Sequence, residues 1–106
     1  MGIFAKILSS GQLPDTQAVL YTVPFSTAAY VKLFSVVNTG SFTETIIWFV
    51  RHSVVLQQMP SVVLDPGESA FLISKDEVLT MDSGTIEAFT SNPNTVDFLI
   101  SGAEEF

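Results

Sequence analysis

The sequence predicts an all-β fold, a two-sheet antiparallel β-sandwich of the jelly-roll type. Short apolar runs recur along the chain, clusters of Gly, Pro, Asn and Asp separate them, and several runs alternate apolar with polar residues. These features are typical of short strands that each bury one face. We find no amphipathic helical pattern. An immunoglobulin-like sandwich is the alternative, because patterning does not fix how strands are connected.

The chain length predicts one domain spanning residues 1–106. At 106 residues and 11.5 kDa, area scaling gives a folded surface of about 5,800 Å² against about 16,700 Å² for the unfolded chain. A core of ordinary size is therefore expected. Residues 1–16 are predicted to be an N-terminal arm or a strand exchanged with a neighbour, since a terminal strand needs a sheet to hold it.

The order of turn residues predicts each strand in sequence. The first run ends at Ser9, the second before Pro24 and the third at Asn38. Pro60 lies just past another run, where its missing amide costs no ladder hydrogen bond. The predicted strands are 3–8, 17–23, 28–38, 42–52, 61–64, 68–74, 77–81, 84–90 and 95–101.

Two of these strands carry more specific expectations. Segment 42–52 begins with alternation and ends apolar on both faces, as if a second layer or subunit covered its second half. In segment 84–90, Phe89 falls on the otherwise polar face and is expected to be exposed or interfacial. Alternation in segment 95–101 directs Val96, Phe98 and Ile100 inward.

Asp65-Pro66-Gly67 predicts a tight turn, because Pro presets one central φ angle and Gly tolerates a positive one. Segments 61–64 and 68–74 are expected to pair as a hairpin around it. The predicted core comprises Val31, Leu33, Ile46, Trp48, Val50, Phe71, Ile86, Val96, Phe98 and Ile100.

Composition indicates contact with other protein chains. Charged residues make up 14% of the chain, whereas soluble domains average about 25%. Mean hydropathy is +0.44, which is high for an isolated small monomer. The net charge of −7 argues against nucleic acid and against an anionic membrane surface. The longest apolar run, 46–50, is far below the roughly 20 residues of a transmembrane helix.

Chemical motifs are scarce, and the sequence predicts no enzyme, no catalytic residue, no metal site and no cofactor. His52 is the single histidine and the chain contains no cysteine, so neither a hydrolytic triad nor a thiolate metal site is favoured. The spacing of Asp76, Glu77, Asp82 and Glu87 does not match a calcium-binding EF-hand loop, and 78–80 between them resembles a strand. We interpret these acids as surface charge.

Apolar and cationic side chains outside the predicted core are the candidate contact residues. We expect a homo-oligomer, a trimer or another ring, because closed symmetry covers an exposed apolar patch. The candidate partner or oligomer contacts are Phe4, Ile7, Lys32, Phe42, Phe49, Arg51, Phe89 and Phe106.

Nearly the whole chain resembles a known group of proteins. The segments that carry the likeness are AKILSSGQLP (5–14), LYTVP (20–24), YVK (30–32), VVNT (36–39), VLDPGES (63–69), DSGTIEA (82–88) and VDFLISG (96–102). They resemble small β-sandwich proteins encoded among the virion structural genes of tailed bacteriophages. One departure is Phe25-Ser26-Thr27, where such proteins more often have a small turn containing Gly.

The resemblance implies a non-enzymatic virion component, assembled in the host cytoplasm, that binds other virion proteins such as the major capsid protein. A capsid decoration (cement) protein is the leading interpretation, and a tail- or fibre-associated subunit is the alternative. A carbohydrate- or receptor-binding module is a further alternative. Its site would be built from loops that carry Tyr30, Asn38, His52, Asn92 and Asn94.

Overall fold

The computed structural model describes residues 2–52, 54–74 and 78–106. They form ten strands, and within these ranges there is no helix that could cross a membrane. The strands are β1 (Ile3–Gln12), β2 (Ala18–Thr22), β3 (Ala28–Asn38), β4 (Glu44–His52), β5 (Val55–Gln58), β6 (Val62–Leu64), β7 (Ser69–Ile73), β8 (Leu79–Met81), β9 (Thr85–Thr90) and β10 (Val96–Glu105).

The strands form two antiparallel sheets packed face to face, which confirms the predicted β-sandwich. Sheet A has the order β1-β10-β3-β7, with β8 also on β3, and sheet B has the order β2-β9-β4-β5, with β6 also on β4. One edge of each sheet is therefore formed by two short strands, β7 and β8 in sheet A and β5 and β6 in sheet B. The first and last strands are neighbours, and the chain changes sheet between successive strands except from β4 to β6 and from β7 to β8, which is jelly-roll connectivity. The immunoglobulin-like alternative is wrong. That fold places its first two strands in one sheet, whereas β1 and β2 lie in different sheets here.

β1 and β10 are both longer than the sequence predicted. They pair from Ile3 opposite Glu105 to Gln12 opposite Asp97. The predicted strands 3–8 and 95–101 leave out Gly11 and Gly102, which both lie within strands. A side chain on Gly102 would come within 1.9 Å of the Tyr30 carbonyl oxygen, so glycine permits the close approach of β10 to β3 at a bulge. Residues 3–12 thus pair within their own chain, and strand exchange by segment 1–16 stays a prediction.

The turn at Asp65-Pro66-Gly67 forms, with Gly67 at a φ of 82° and the Glu68 amide donating to the Asp65 carbonyl over 3.0 Å. The hairpin predicted around it is wrong. β6 pairs with β4 in sheet B and β7 pairs with β3 in sheet A. The turn therefore carries the chain from one sheet to the other. β5 was not predicted at all, and residue 77 of the predicted strand 77–81 lies outside the described residues.

The core fills the space between the sheets, and the total exposed surface of 5868 Å² agrees with the area expected from size. Most of the predicted core is confirmed, with Val50 partly buried against the rest. The prediction that Phe71 belongs to the core is wrong. Phe71 pairs with Ser35 on the outer face of sheet A and is 66% exposed. The prediction of Leu33 in the core is also wrong. A register shift beside it turns its side chain to the outer face, where it is half-buried. Phe34 takes the inward position and is fully buried.

One end of the sandwich, here called the crossover end, carries the loops 13–17, 39–43, 65–68 and 91–95. Asn38 is fully buried there. Its side-chain amide donates to the Phe42 carbonyl over 2.7 Å and to the Leu64 carbonyl over 3.0 Å, and its Oδ1 accepts from the Gly40 amide over 2.9 Å. Its backbone bonds Gly67 and Glu68. Asn38 thus joins two crossings between the sheets.

The opposite end, here called the terminal end, carries the first and last described residues. The loops 23–27 and 82–84 and the loop after His52 also lie there. Gly2 and Phe106 exchange two backbone hydrogen bonds, of 2.8 and 3.1 Å, and the Val23 amide donates to the Gly84 carbonyl over 3.0 Å. Hydrogen bonds from a buried side chain thus hold loops at the crossover end, whereas backbone hydrogen bonds join the segments at the terminal end.

We expect Asn38→Ala to lower the free energy of unfolding by about 3 kcal/mol, because it leaves buried backbone groups without their partners. Urea unfolding monitored by circular dichroism measures this. The control is Thr43→Ala, which removes an exposed hydrogen bond to Asp65 in the same region and should cost under about 1 kcal/mol. Equal costs would contradict the role assigned to Asn38.

Candidate functional site

Exposed apolar side chains concentrate at the terminal end. We name six of them the terminal-end cluster: Ile3, Phe4, Phe25, Val54, Val55 and Phe106. Phe4 and Phe106 stack on each other with ring centroids 5.5 Å apart. They lie together because Gly2 and Phe106 are bonded through the backbone. An exposed apolar patch of this kind marks an interaction surface.

A buried carboxylate lies beneath this cluster and joins the two sheets. Glu104 of β10 accepts a hydrogen bond from the Tyr21 hydroxyl of β2 over 2.6 Å and pairs with the Lys6 ammonium over 2.6 Å. The hydrogen bonds from Lys6 and Tyr21 lower the pKa of Glu104 although its burial opposes this. Burial and the same carboxylate raise the pKa of Tyr21. The site is an ionised structural link, not a proton donor near neutral pH.

The outer face of sheet B carries a second group. Phe49 of β4 and Phe89 of β9 stack with centroids 6.3 Å apart, and both are half-buried. Next to them Glu87 accepts hydrogen bonds from Gln17 at 2.8 Å, Thr85 at 2.7 Å and Arg51 at 2.9 Å. These donors, Gln17 first, lower the pKa of Glu87 to about 2 despite its burial. The Phe pair and an ionised network thus share one sheet face.

A third buried carboxylate, Glu44, lies at the crossover end. Burial raises its pKa, but this is outweighed by hydrogen bonds from the Asn92 side chain and backbone and from Thr90. The two Asn92 bonds are 2.7 and 2.9 Å long. Glu44 therefore fixes the loop 91–95 to β4. In the described part of the chain, no buried polar side-chain atom is without a partner.

The predicted contact residues fall into separate groups. Phe4 and Phe106 come together at the terminal end, and Phe49, Phe89 and Arg51 share the outer face of sheet B. The remaining three do not join either group. Ile7 is exposed on the outer face of β1, Lys32 is exposed on β3, and Phe42 is 69% exposed in the loop 39–43 at the crossover end.

Sequence reasoning missed Phe25 as a contact candidate, although it is 97% exposed. A signal was present: a bulky apolar residue follows Pro24 inside a turn cluster, where no strand can bury it. The three buried glutamates were also missed. Nothing in the local sequence distinguishes them from exposed acids, because their partners lie 36 to 98 residues away or, for Glu87, partly on a neighbouring residue.

The loop residues of the predicted carbohydrate site are divided between the two ends. Tyr30 lies near the terminal end and donates its hydroxyl to Glu105 over 2.6 Å, while His52 is exposed at the end of β4. Asn38 and Asn92 are occupied in structural bonds at the crossover end. One binding face formed by all five residues is therefore wrong.

The calcium interpretation can be followed only in part. Asp76 and Glu77 lie outside the described residues. Among residues 2–52, 54–74 and 78–106, no group of three His, Cys, Asp or Glu side chains is placed to hold a metal ion. Glu87 is occupied by Gln17, Thr85 and Arg51.

Comparison with known proteins finds a likeness of fold. No family model matches the chain, and no curated protein matches it. A solved structure titled "Bacillus endospore appendages form a novel family of disulfide-linked pili" superposes with a TM-score of 0.53 at 18% sequence identity. The match covers 96% of this chain and 86% of the other. It shows the same β-sandwich fold, with no phage protein involved.

The lowered pKa of Glu87 leads us to expect that the free energy of unfolding decreases in acid. Its pKa falls from 4.5 to about 2 in the folded chain, so the ionised form stabilises the fold above pH 4.5. That contribution is lost as the pH falls towards 2. We therefore expect wild type to exceed Glu87→Gln in unfolding free energy at neutral pH, with the difference shrinking below pH 4.5.

Urea unfolding at several pH values measures the difference, with Asp15→Asn at an exposed carboxylate as the control. A difference between wild type and Glu87→Gln that stays constant down to the lowest pH would contradict an ionised, hydrogen-bonded Glu87.

Proposed function

We propose that this chain is a non-enzymatic structural subunit that associates with copies of itself and becomes part of a larger particle. The terminal-end cluster is the observation that carries the proposal. Its six apolar side chains lie exposed at one end of the fold. Burying an aromatic side chain in a subunit contact is strongly favourable. Association would remove this surface from water.

The buried carboxylates support a structural role rather than catalysis. Glu44, Glu87 and Glu104 each have a lowered pKa, whereas a general acid working near neutral pH needs a raised one. Their oxygens are occupied by donors from distant strands and loops. These interactions hold the sandwich together, and substrate would have to displace them.

A bacteriophage virion is the setting that we propose, with capsid decoration as the leading role and a tail or fibre position as the alternative. The sequence resemblance to small virion β-sandwich proteins supports it. The net charge of −7 is compatible with a surface that faces away from packaged DNA. The contact with a capsid would use the terminal-end cluster together with Lys32, which is exposed.

A filament subunit is the second candidate, and the difference between the two ends of the sandwich favours it. The structural neighbour comes from pili described as disulfide-linked. This chain has no cysteine, so a filament built from it would depend on non-covalent contacts. Subunits with unlike ends can add head to tail, which produces open filaments or closed rings.

Salt distinguishes apolar association from ion pairing. Because copies of charge −7 repel one another, raising the salt concentration should strengthen self-association by screening that repulsion. Light scattering at micromolar concentrations and two salt concentrations measures this. Phe4→Ser with Phe106→Ser should weaken association, whereas dissociation by salt would contradict an apolar contact. A monomer under all conditions would contradict self-association.

Co-sedimentation tests the setting. We expect the purified chain to sediment with phage heads that lack their decoration protein and to raise the temperature at which they break, since binding the assembled state stabilises it. Tails and fibres are tested in parallel. Binding only to tails or fibres would replace the capsid role, and failure to bind any particle component would contradict a virion function.

A further inference from the structure

Phe25 is held outward by its loop. Ser26 has a φ of 57°, a left-handed conformation that glycine adopts more easily. The Thr27 hydroxyl donates to the Phe25 carbonyl over 3.2 Å, and buried Thr27 anchors the turn beside β3. The phenyl ring, 97% exposed, is therefore carried on a bonded turn and makes little contact with its own chain.

An apolar cleft lies on the side of the sandwich, between the interrupted edge strands of the two sheets. Its volume is about 160 Å³. It opens where β5 gives way to β6 and β7 gives way to β8. The indole of Trp48, fixed by a 3.1 Å bond to the Pro60 carbonyl, forms part of its wall. The lining residues are Trp48, Met59, Leu72, Ile73, Val78 and Leu79.

The size and chemistry of the cleft suit an aromatic ring. An apolar protein cavity of roughly 150 Å³ accepts benzene, so the 160 Å³ here has room for a phenyl group. The side chains named as its lining are apolar or aromatic, and polar atoms contribute the smaller part of its surface. Phe25 lies at the terminal end and the cleft lies on the side, so one molecule offers both without filling its own cleft.

The absence of charge on both surfaces lets a second copy supply that ring despite the net charge. Copies that each carry −7 repel wherever acidic surfaces meet, and two of the four cations, Lys6 and Arg51, are already paired within the chain. Segment 16–31 contains no charged residue, and among residues 2–52, 54–74 and 78–106 those lining the cleft are all uncharged. Phe25 and the cleft are therefore surfaces through which like-charged copies can meet.

We propose that Phe25 of one copy inserts into the side cleft of a second copy, beside Trp48. This rests on the proposed self-association and names its contact. Because the two complementary surfaces are different and lie on different parts of the molecule, the contact is heterologous. Successive copies then form a ring if the rotation closes and a filament if it does not.

One phenyl ring does not make a stable interface alone. A standard interface buries about 800 Å² on each partner, and a buried aromatic residue supplies about 150 to 250 Å². Further apolar side chains are exposed at the end that carries Phe25 and near the cleft. The other members of the terminal-end cluster lie at the same end of the fold as Phe25, and the edge strands and their flanks near the cleft expose Leu56, Val63, Phe71 and Val78. Phe25 is then the central anchor of a larger contact.

Paired variants test the proposal. Phe25→Ala removes the ring, and Val78→Glu places a charge at the cleft mouth, where Val78 is half exposed. Each alone should raise the dissociation constant about 30-fold or more, as expected for an interface hot spot. Mixed together they should form one-to-one dimers, because each retains the half that the other lacks. Analytical ultracentrifugation measures all three samples.

Phe42→Ala is the matched control, since Phe42 is comparably exposed but lies at the crossover end, and it should associate like wild type. Association of Phe25→Ala equal to wild type would overturn the insertion while leaving self-association intact. Mixtures that remain monomeric would also overturn it. A monomeric wild type would overturn both the insertion and the proposed function.

Trp48 gives a second readout because it is the single tryptophan and lines the cleft. Its emission should change with wild-type concentration as rings enter the cleft, and should not change in Phe25→Ala. Toluene, used as a small apolar probe, should compete with association. Concentration-dependent assembly with constant Trp48 emission would overturn the proposal, as would toluene binding without any effect on association.

Discussion

The hydrogen bonds of Asn38 are the constraint on which the sandwich depends. A chain that crosses between two sheets must satisfy the backbone groups of each crossing in a buried position. Asn38 does this for two crossings at once, through the carbonyls of Phe42 and Leu64 and the amide of Gly40. Glu44 does the same for the loop 91–95 through Asn92. Polar side chains are thus used where the chain changes sheet, and this fixes which strands become neighbours.

The terminal end is organised differently. There the link between sheets is a single buried carboxylate, Glu104, between Tyr21 and Lys6, and the surface around it is apolar. The Phe4 and Phe106 rings stack at the same end of the fold. Placing ionised, fully bonded groups inside and apolar groups outside reverses the usual arrangement of a monomer. The terminal end therefore differs in its surface chemistry from the crossover end.

Most strands could be predicted from the sequence because alternation and turn residues are local signals. The β-sandwich and most of its core followed from them. β5 was missed because Gln57 and Gln58 carry no alternation, and Phe71 was misplaced because its register depends on β3, far away in sequence. The turn at Gly67 was predicted correctly, but the strands on either side separate into different sheets, and the turn itself is bonded to Asn38, 29 residues before Gly67. The buried glutamates depend on strand pairing in the same way, so they become visible only in the folded chain.

The backbone bonds between Gly2 and Phe106 have a mechanical consequence. Both ends of the chain leave the sandwich at the same corner, on two neighbouring antiparallel strands. Tension that pulls these ends apart loads the hydrogen bonds between β1 and β10 one after another, beginning at that corner, so the ladder opens like a zipper. Tension applied along the strands from opposite ends of the sandwich loads the same bonds together in shear. A force applied at residues 2 and 106 therefore separates β1 from β10 more easily than the same force applied along the strands.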